Sequence, residues 1–229
     1  MSRRNKLEKF AELLTLKNVY QNYSFQDPLL HYVDGNLVQR KGHWARDHFQ
    51  NEHPLVLELA CGWGEYTMGL ARQEPGRNFI GIDVKGNRIW KGAKQSLKEG
   101  LINVAFLRTR IEQIEQFFAP DEISEIWITF PDPFLRNSKS NRRLTALPFL
   151  QKYRQLLVSG SFIHLKTDSP ELYDFTLETL TEAAFCQITY QDDDIYSKPL
   201  AHPALDIKTK YEKMHLEAGR TIKYVQIMV

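Results

Sequence analysis

The chain has 229 residues, of which 42% are hydrophobic and 25% are charged, with a formal net charge of +2. This length suits one well-buried core, so we expect a single domain over 1–229, with 1–50 as a helical and basic N-terminal extension. The absence of an apolar run of about 18 residues argues against a membrane span. A charged N-terminus and two cysteines without metal-like spacing favour a reduced, cytoplasmic protein over a secreted one.

Short apolar runs and segments of helical periodicity alternate along the chain from residue 55 onward. In chain order they predict strand 55–60, helix 65–73, strand 78–84, helix 86–99, strand 103–108, helix 111–118, strand 125–130, helix 145–158, strand 160–167, helix 170–183 and strand 221–229. The polar segment 191–208 is predicted to be a mobile loop. This alternation indicates βαβ units and an α/β, doubly wound, Rossmann-like sheet, in which ligands bind beyond the carboxyl ends of the strands.

The first motif, ELACGWGE, follows the first predicted strand. Glycines at Gly62 and Gly64 let the backbone turn tightly and approach a ligand. Asp83 ends the second strand, where a carboxylate can accept hydrogen bonds from both hydroxyls of a ribose. A glycine-rich strand–helix turn is common by itself. Its occurrence together with Asp83 favours a nucleoside cofactor.

The class of nucleoside cofactor depends on two further positions. Dinucleotide enzymes use G-x-G-x-x-G and place a pyrophosphate at the helix N-terminus. Here Thr67 replaces the third glycine, and Glu65 brings a negative charge to the place where phosphate would lie. Glu58 adds a second acid to the loop. These acids disfavour a nicotinamide dehydrogenase and suit S-adenosylmethionine, which carries a sulfonium and an ammonium group.

The second motif, FPDPF at 130–134, follows the fourth strand and precedes a basic loop. Its prolines stiffen the turn, so Asp132 is held in one direction, and Phe134 offers a face on which a base can stack. Four cations then follow, namely Arg136, Lys139, Arg142 and Arg143. A solvated charged surface is the simpler explanation of such a run. Beside an oriented acid and an aromatic ring, however, it suits a polyanion such as RNA.

Taken together, ELACGWGE, FIGIDV, FPDPF with SNRR, LKTD at 165–168 and TKYE at 209–212 resemble the bacterial tRNA (guanine-N7)-methyltransferases. The resemblance extends from about residue 55 to the C-terminus. It implies a class I S-adenosylmethionine-dependent fold with a seven-stranded, mostly parallel sheet whose last strand is antiparallel. It also implies methylation of N7 of a guanine in the tRNA variable loop, at nucleotide 46.

The resemblance assigns roles to individual positions. Cofactor binding falls to Glu58, Gly62, Gly64, Asp83, Arg110 and Asp132. Binding of the tRNA substrate falls to Arg136, Arg142, Arg143, Asp168, Thr209, Lys210, Tyr211 and Glu212. Asp132 and Asp168 are the expected catalytic residues, and TKYE is also a capping box that would begin a helix.

Four positions depart from the motifs of that family. Ala60 stands where glycine is usual, Phe134 where tryptophan is usual and Arg136 where lysine is usual. Arg110 stands where an Asp or Asn is common. An arginine side chain cannot accept hydrogen bonds from the adenine amino group. A backbone carbonyl or a water must therefore accept those hydrogen bonds in its place.

Guanine N7 carries a lone pair and no proton in the neutral base, so a methyl acceptor of this kind needs no general base. The chemistry requires alignment, and the product base becomes positively charged. We expect Asp168 to orient the guanine, because a carboxylate accepts from N1–H and the exocyclic amine. Asp132 is expected to link cofactor and base.

Other interpretations remain open at this level. D-P-x-aromatic turns also occur in methyltransferases acting on an exocyclic base amine, although the downstream TD and T-x-x-E motifs are not needed there. A protein that binds RNA without chemistry would have little use for Glu58, the glycines and Asp83. No metal site is predicted, since the histidines lack suitable spacing. The expected partner is tRNA, with no membrane contact, and the chain is expected to be a monomer or a homodimer. The N-terminal SRRNK arm could add phosphate contacts.

Overall fold

The structure is a computed structural model that describes residues 3–229, with side chains from residue 6 onward. The proposed basic arm at 2–6 therefore lies almost wholly outside the described side chains. The chain divides into two compact units, one ending at Ala119 and the other running from Pro120 to Val229. Each unit is described by itself, and the expected single domain over 1–229 stays a prediction.

Six α-helices and ten strands occur in the described residues. The helices are α1 (Arg3–Leu13), α2 (Glu65–Gln73), α3 (Gly86–Lys98), α4 (Leu147–Leu156), α5 (Pro170–Glu182) and α6 (Lys210–Glu217). The strands are β1 (Val19–Gln21), β2 (Leu30–His31), β3 (Leu37–Val38), β4 (Leu55–Leu59), β5 (Asn78–Asp83), β6 (Val104–Arg108), β7 (Ile123–Thr129), β8 (Leu157–Thr167), β9 (Gln187–Asp192) and β10 (Lys223–Met228).

The first unit contains six strands in the order β3-β2-β1-β6-β5-β4. β4, β5, β6 and β1 pair in parallel, whereas β2 and β3 add an antiparallel hairpin at the edge. Every residue of β4 and β5 is buried, which agrees with the mostly apolar sequences of these strands. The parallel pairing brings the ends of β4, β5 and β6 to one edge of this sheet.

The second unit contains four strands in the order β7-β8-β10-β9. β7 and β8 are parallel, with Thr129 opposite Lys166, whereas β10 is antiparallel to both β8 and β9. The motifs FPDPF and LKTD therefore leave the sheet from the same ends of two adjacent strands. Ser169 caps the N-terminus of α5, because its hydroxyl accepts from the Leu172 N–H at 3.2 Å.

Most elements lie where the sequence places them. The α/β fold with parallel central strands and an antiparallel last strand is confirmed, as are the helices beginning at Glu65, Gly86 and Pro170. The expected number of seven strands is wrong. β1 to β3 have only two or three residues each, which is too short to give a periodic pattern in the sequence.

Two local predictions also need correction. Residues 111–118 were expected to be a helix but form only a short 3-10 helix, Ile111–Gln116. The segment 191–208 is not a plain loop, because Asp192 ends β9 and Pro203–Asp206 forms a 3-10 helix. Its buried residues include Ile195, Ala204 and Leu205. Proline and charge dominate the composition of this segment and conceal these buried positions.

Among residues 3–229, no helix combines the length and the apolar character that crossing a bilayer requires.

An aromatic cluster fills part of the first unit. The ring of Tyr20 stacks on Tyr32 with centroids 4.5 Å apart and meets the edge of the buried Trp44 at 4.9 Å. The Tyr20 hydroxyl lies 2.9 Å from Nδ1 of His48. Burial, with a smaller contribution from the charge of Arg40, lowers the pKa of His48 to about 4. His48 is therefore neutral at pH 7, and its Nδ1 shares a hydrogen bond with the Tyr20 hydroxyl.

We predict that the folded chain loses stability between pH 6.5 and pH 4 because of His48. The unfolded histidine binds a proton near its ordinary pKa of about 6.5, whereas the folded one does so only near pH 4. The unfolded state therefore binds more protons in this window, and the free energy of unfolding falls as the pH falls, by up to about 3 kcal/mol.

Urea unfolding of the wild type and of His48→Gln at pH 7 and pH 4.5 checks this. Glutamine keeps an acceptor for Tyr20 but does not ionise. The variant should lose distinctly less stability between the two pH values than the wild type. Equal losses in the two proteins would contradict the assignment.

Candidate active site

Glu58 fixes the beginning of α2. Its carboxylate is almost fully buried and accepts hydrogen bonds from both the backbone N–H and the hydroxyl of Thr67. The N–H distance is 2.7 Å. Glu58 thus joins the end of β4 to the first turn of the helix.

Asp83 is held by two backbone amides at the end of β5. Oδ2 accepts from the N–H of Gly62 at 2.9 Å, and Oδ1 accepts from the N–H of Lys85 at 2.7 Å. The side chain is only 6% exposed. Each carboxylate oxygen has a second lone pair, so both can still accept from ribose hydroxyls. The carboxylate is fixed in place before any ligand arrives.

The two motif glycines have different structural roles. Both have positive φ values, 55° at Gly62 and 67° at Gly64. A Cβ on Gly64 would overlap the ring of Phe106, so this glycine is required by packing. The nearest atom to a Cβ built on Gly62 is the backbone oxygen of Ala60, at 4.0 Å. Gly62 therefore leaves open space beside Asp83.

Negative potential is concentrated at this loop. Burial raises the pKa of the Cys61 thiol well above its usual range, and the nearby charges of Glu58 and Asp83 raise it further. Glu65 adds an acid in the first turn of α2, as the sequence indicated. A site of this sign favours a cation and disfavours a pyrophosphate.

Arg110 lies beyond the end of β6, and its side chain is exposed. Its guanidinium lies over the ring of Phe25, 4.7 Å from the ring centre. The residue borders a cavity of about 180 Å³ together with Tyr23, Phe25 and Val84. The arginine side chain thus forms part of the wall of a cavity that is also bordered by Val84, the residue after Asp83.

The FPDPF turn in the second unit holds Asp132 at the surface. Oδ1 of Asp132 accepts from the N–H of Phe134 at 3.0 Å, which closes a local turn. Phe130 and Phe134 both have positive φ values, 47° and 42°. Such values are unfavourable for aromatic residues and tend to cluster at functional sites. The aspartate is exposed and oriented, as predicted.

The basic loop contains side chains in two different environments. Arg136 and Arg142 are exposed, and Arg142 lies over the ring of Phe134 at 4.9 Å. Arg143 is buried and donates to the carbonyl oxygens of Pro133 and Phe134, at 2.9 and 3.2 Å. The exposed arginines are available to a polyanion, whereas Arg143 fixes the turn that carries Asp132.

Asp168 leaves β8 beside the FPDPF turn and already has two partners. Its Oδ2 accepts from Arg220 at 2.6 Å and lies 3.3 Å from Nδ1 of His215. The ring of His215 stacks near Phe130, with centroids 6.0 Å apart. Asp132 and Asp168 follow the paired ends of the adjacent strands β7 and β8, where Thr129 lies opposite Lys166.

The TKYE motif begins α6, and the capping prediction is confirmed for Thr209, whose hydroxyl accepts from the N–H of Glu212 at 3.2 Å. The Glu212 side chain is fully buried and forms an ion pair with the equally buried Lys166, at 2.7 Å. Tyr196 also donates to Glu212, at 2.6 Å. Lys210 and Tyr211 remain exposed at the surface of the unit.

Lys166 is the central residue of this buried group. Besides the ion pair with Glu212, it donates to the backbone oxygens of Leu205 and Ile207 at 2.8 and 3.1 Å. Burial lowers its pKa to about 8, although the charge of Glu212 opposes the shift. Lys166 thus ties the segment before α6 to the sheet and positions Thr209 to Glu212.

Sequence reasoning missed four residues of this site, namely Lys166, Tyr196, His215 and Arg220. Lys166 could have been noticed as a cation inside an otherwise apolar strand, since a buried lysine requires a partner. Nothing in the local sequence marks the other three. Within residues 3–229, no group of three or more His, Cys, Asp or Glu side chains has a geometry suited to a metal ion.

Comparison with known proteins shows the family to which this chain belongs. Residues 52–225 match a family model described as "Putative methyltransferase". A tRNA (guanine-N(7)-)-methyltransferase of Christiangramia forsetii is 45% identical over the whole of both chains. The enzyme of the same name from Porphyromonas gingivalis is 52% identical over 81% of this chain and 75% of its own. This chain belongs to the tRNA (guanine-N(7)-)-methyltransferase family.

Solved structures agree on the fold. The 16S rRNA methyltransferase KamB superposes with a TM-score of 0.60 at 15% identity, covering 85% of this chain and 96% of its own. A SAM-dependent methyltransferase of Aquifex aeolicus superposes with a TM-score of 0.54 at 15% identity, covering 77% of this chain and 82% of its own. At these identities the likeness concerns the fold alone. It confirms a methyltransferase-type α/β architecture for this tRNA (guanine-N(7)-)-methyltransferase family member.

The backbone conformation at position 60 is one that favours glycine. Ala60 adopts a φ of 58°, in the left-handed region that glycine adopts without cost. An alanine Cβ in this conformation costs about 1 kcal/mol. Because Ala60 directly follows β4, the strain is located at the loop that approaches the ligand.

We predict that Glu212→Gln destabilises the chain at pH 7 by about 3 kcal/mol, because the buried charge of Lys166 loses its partner. The exposed Glu217→Gln on the same helix is the matched control and should change the free energy of unfolding by less than about 0.5 kcal/mol. Urea unfolding measures both. The double variant Lys166→Met/Glu212→Leu should recover part of the loss, and equal effects of Glu212→Gln and Glu217→Gln would contradict the prediction.

Proposed function

We propose that this chain transfers the methyl group of S-adenosylmethionine to N7 of a guanine in tRNA, at nucleotide 46 of the variable loop. The observation that carries the proposal is the 45% identity, over full length, to a tRNA (guanine-N(7)-)-methyltransferase. The same name recurs in a Bacteroides fragilis relative that is 44% identical over 99% of this chain. Methylation of an exocyclic base amine has no comparable support.

The first unit has a donor set suited to the cofactor. Asp83 would accept hydrogen bonds from the ribose hydroxyls, and the open space beside Gly62 would admit the ligand close to the backbone. The acids at Glu58 and Glu65 suit a cofactor that is cationic and carries no phosphate. Membership of a methyltransferase family and the S-adenosylmethionine held by one fold neighbour support this choice.

S-adenosylmethionine, when bound, supplies an electrophilic methyl group on a sulfonium. The chain's own part is to position the guanine, because the N7 lone pair needs no base to activate it. The purine becomes cationic as N7 is alkylated. Asp132 and Asp168, on adjacent strand ends, would stabilise that positive charge.

Asp168 is the residue that we assign to base selection. A carboxylate accepts from N1–H and the exocyclic amine of guanine, whereas adenine presents an acceptor at N1. Arg220, which holds Asp168 by one contact, is more than half exposed. A guanine could therefore take over this carboxylate oxygen from Arg220. Thr209 to Tyr211 would border the same base, held in place by Lys166 and Glu212.

The tRNA backbone would lie on the exposed cations Arg136 and Arg142. Phosphate contacts of this kind supply affinity that depends on salt but carry no sequence information. Arg143 is buried and would contribute indirectly, by supporting the turn that carries Asp132. A tRNA substrate also supports the expected cytoplasmic location.

Incubation of the chain with unmodified tRNA and methyl-labelled S-adenosylmethionine, followed by nucleoside analysis, tests the proposal. Label is expected in 7-methylguanosine. A tRNA carrying adenosine at nucleotide 46 is the matched control and should take up no label. Label in another nucleoside would overturn the assignment of N7.

We predict that Asp168→Asn lowers the methylation rate about 100-fold, because the amide cannot accept from guanine as a carboxylate does and carries no charge to stabilise the cationic base. Cofactor affinity, measured by titration with S-adenosylhomocysteine, should remain within about twofold of the wild type. Asp193→Asn, an exposed acid in the same unit, is the control and should leave both quantities unchanged. A normal rate in Asp168→Asn would remove this residue from the mechanism.

A further inference from the structure

One helix of the first unit carries positive charge along one face. From Lys85 to Lys98 the chain has five basic residues and no acid, and the proposed function uses none of these side chains. In a helix, successive residues are rotated by about 100°, so four of the five fall within about a third of the circumference of α3. This cationic stripe comprises Arg88, Lys91, Lys94 and Lys98.

The stripe lies on the solvent side of α3. Lys91, Lys94 and Lys98 are exposed, and Arg88 is half-buried. The opposite side of the helix faces the core, where Ile89 and Ala93 are completely buried. Packing of this apolar side fixes the rotation of the helix, and therefore also the direction in which the cations point.

The charges of the stripe differ in how far other side chains neutralise them. Lys94 forms an ion pair with Glu12 of α1, at 2.6 Å. Within the part of the chain that the structure describes, neither Lys91 nor Lys98 has an ion pair. Their charge is therefore available to an anionic partner.

Two tryptophan rings lie among these cations. The ammonium group of Lys91 lies over the ring of Trp63, 4.6 Å from its centre. Lys94 and Lys9 lie over the ring of Trp90, at 4.9 and 4.4 Å. Both rings are half-buried, so part of each remains accessible. Cations interspersed with aromatic rings are typical of surfaces that bind nucleic acids.

The helix that carries the stripe is closely attached to the proposed cofactor site. A Cβ on Gly92 would overlap the backbone oxygen of Trp63, so only glycine permits this close approach of α3 to the loop 60–64. At the start of the helix, the N–H of Lys85 donates to Asp83. The helix extends about 20 Å from there. An RNA strand that brings a base to the cofactor can therefore also meet the stripe.

We propose that the cationic stripe on α3 is a further docking surface for the phosphate backbone of tRNA, in addition to the exposed cations of the basic loop. Lys91 and Lys98 contact phosphates, and Lys94 fixes α1 beside them through Glu12. Contacts of this kind add affinity without reading sequence. The inference rests on the proposed function, to which it adds a second area of contact with the same substrate.

The salt dependence of tRNA binding tests the surface. In the double variant Lys91→Gln/Lys98→Gln, the slope of log Kd against log salt concentration should fall by about 2, since each lost phosphate contact removes about one unit. At low salt, tRNA should bind about tenfold more weakly than to the wild type.

The double variant Lys17→Gln/Lys41→Gln is the matched control. Both lysines are exposed, belong to the same unit and lie outside α3, and the change in net charge is the same. Its slope should equal that of the wild type. An unchanged slope in Lys91→Gln/Lys98→Gln would overturn the inference. An equal fall in both double variants would overturn it too, because the lysines would then act only through net charge.

Steady-state methylation gives a second readout of the same variants. The KM for tRNA should rise about tenfold in Lys91→Gln/Lys98→Gln while kcat stays within about twofold, because a phosphate contact stabilises the bound substrate and the transition state equally. Affinity for S-adenosylhomocysteine should also stay within about twofold, which shows that the loop beside Lys91 is intact. A fall in kcat with an unchanged KM would contradict a docking role.

The wild type distinguishes failure of this inference from failure of the proposed function. If it places label in 7-methylguanosine while the stripe variant binds tRNA with the wild-type slope, the function stands and the docking surface is wrong. If it places no label in 7-methylguanosine, the proposed function fails, and the binding slopes still decide whether the stripe holds RNA.

Discussion

Within each unit, backbone amides hold the acidic side chains that the proposed function uses. Gly62 and Lys85 donate to Asp83, Thr67 donates to Glu58, and Phe134 donates to Asp132. A carboxylate held in this way points in one direction, because hydrogen bonds from fixed N–H groups need little reorganisation when a ligand binds. Methyl transfer to N7 demands positioning rather than proton transfer. The acids fixed at the ends of parallel strands are the residues proposed to meet that demand.

Holding these acids in place reduces the stability of the surrounding structure. Positive φ values at Ala60, Phe130 and Phe134 place strained backbone directly beside the acids. In the second unit, the buried ion pair of Lys166 and Glu212 holds the start of α6 more firmly than the Thr209 cap alone would. Strain and buried charge both oppose folding, and they are kept where orientation of a ligand is the benefit. Relieving the backbone strain would therefore be expected to favour stability over activity.

The sequence predicts the parallel strands and the acids well, because continuous apolar runs followed by Gly or Asp indicate both at once. Asp83 is found by its position at the end of a strand, and Asp132 by its position shortly after one. The roles of Arg143 and Glu212 could not be predicted, since whether a charged side chain faces solvent or the interior depends on tertiary contacts. The short strand Leu30–His31 and the wall built by Phe25 depend on pairing with distant residues, which leaves no local pattern.

A crystal structure with bound S-adenosylhomocysteine tests the central claim most directly. The account predicts both ribose hydroxyl oxygens within about 3 Å of the carboxylate of Asp83, whose hydrogen bond from Gly62 is retained. A ligand whose ribose faces solvent, or one bound away from the loop between β4 and α2, would contradict the account.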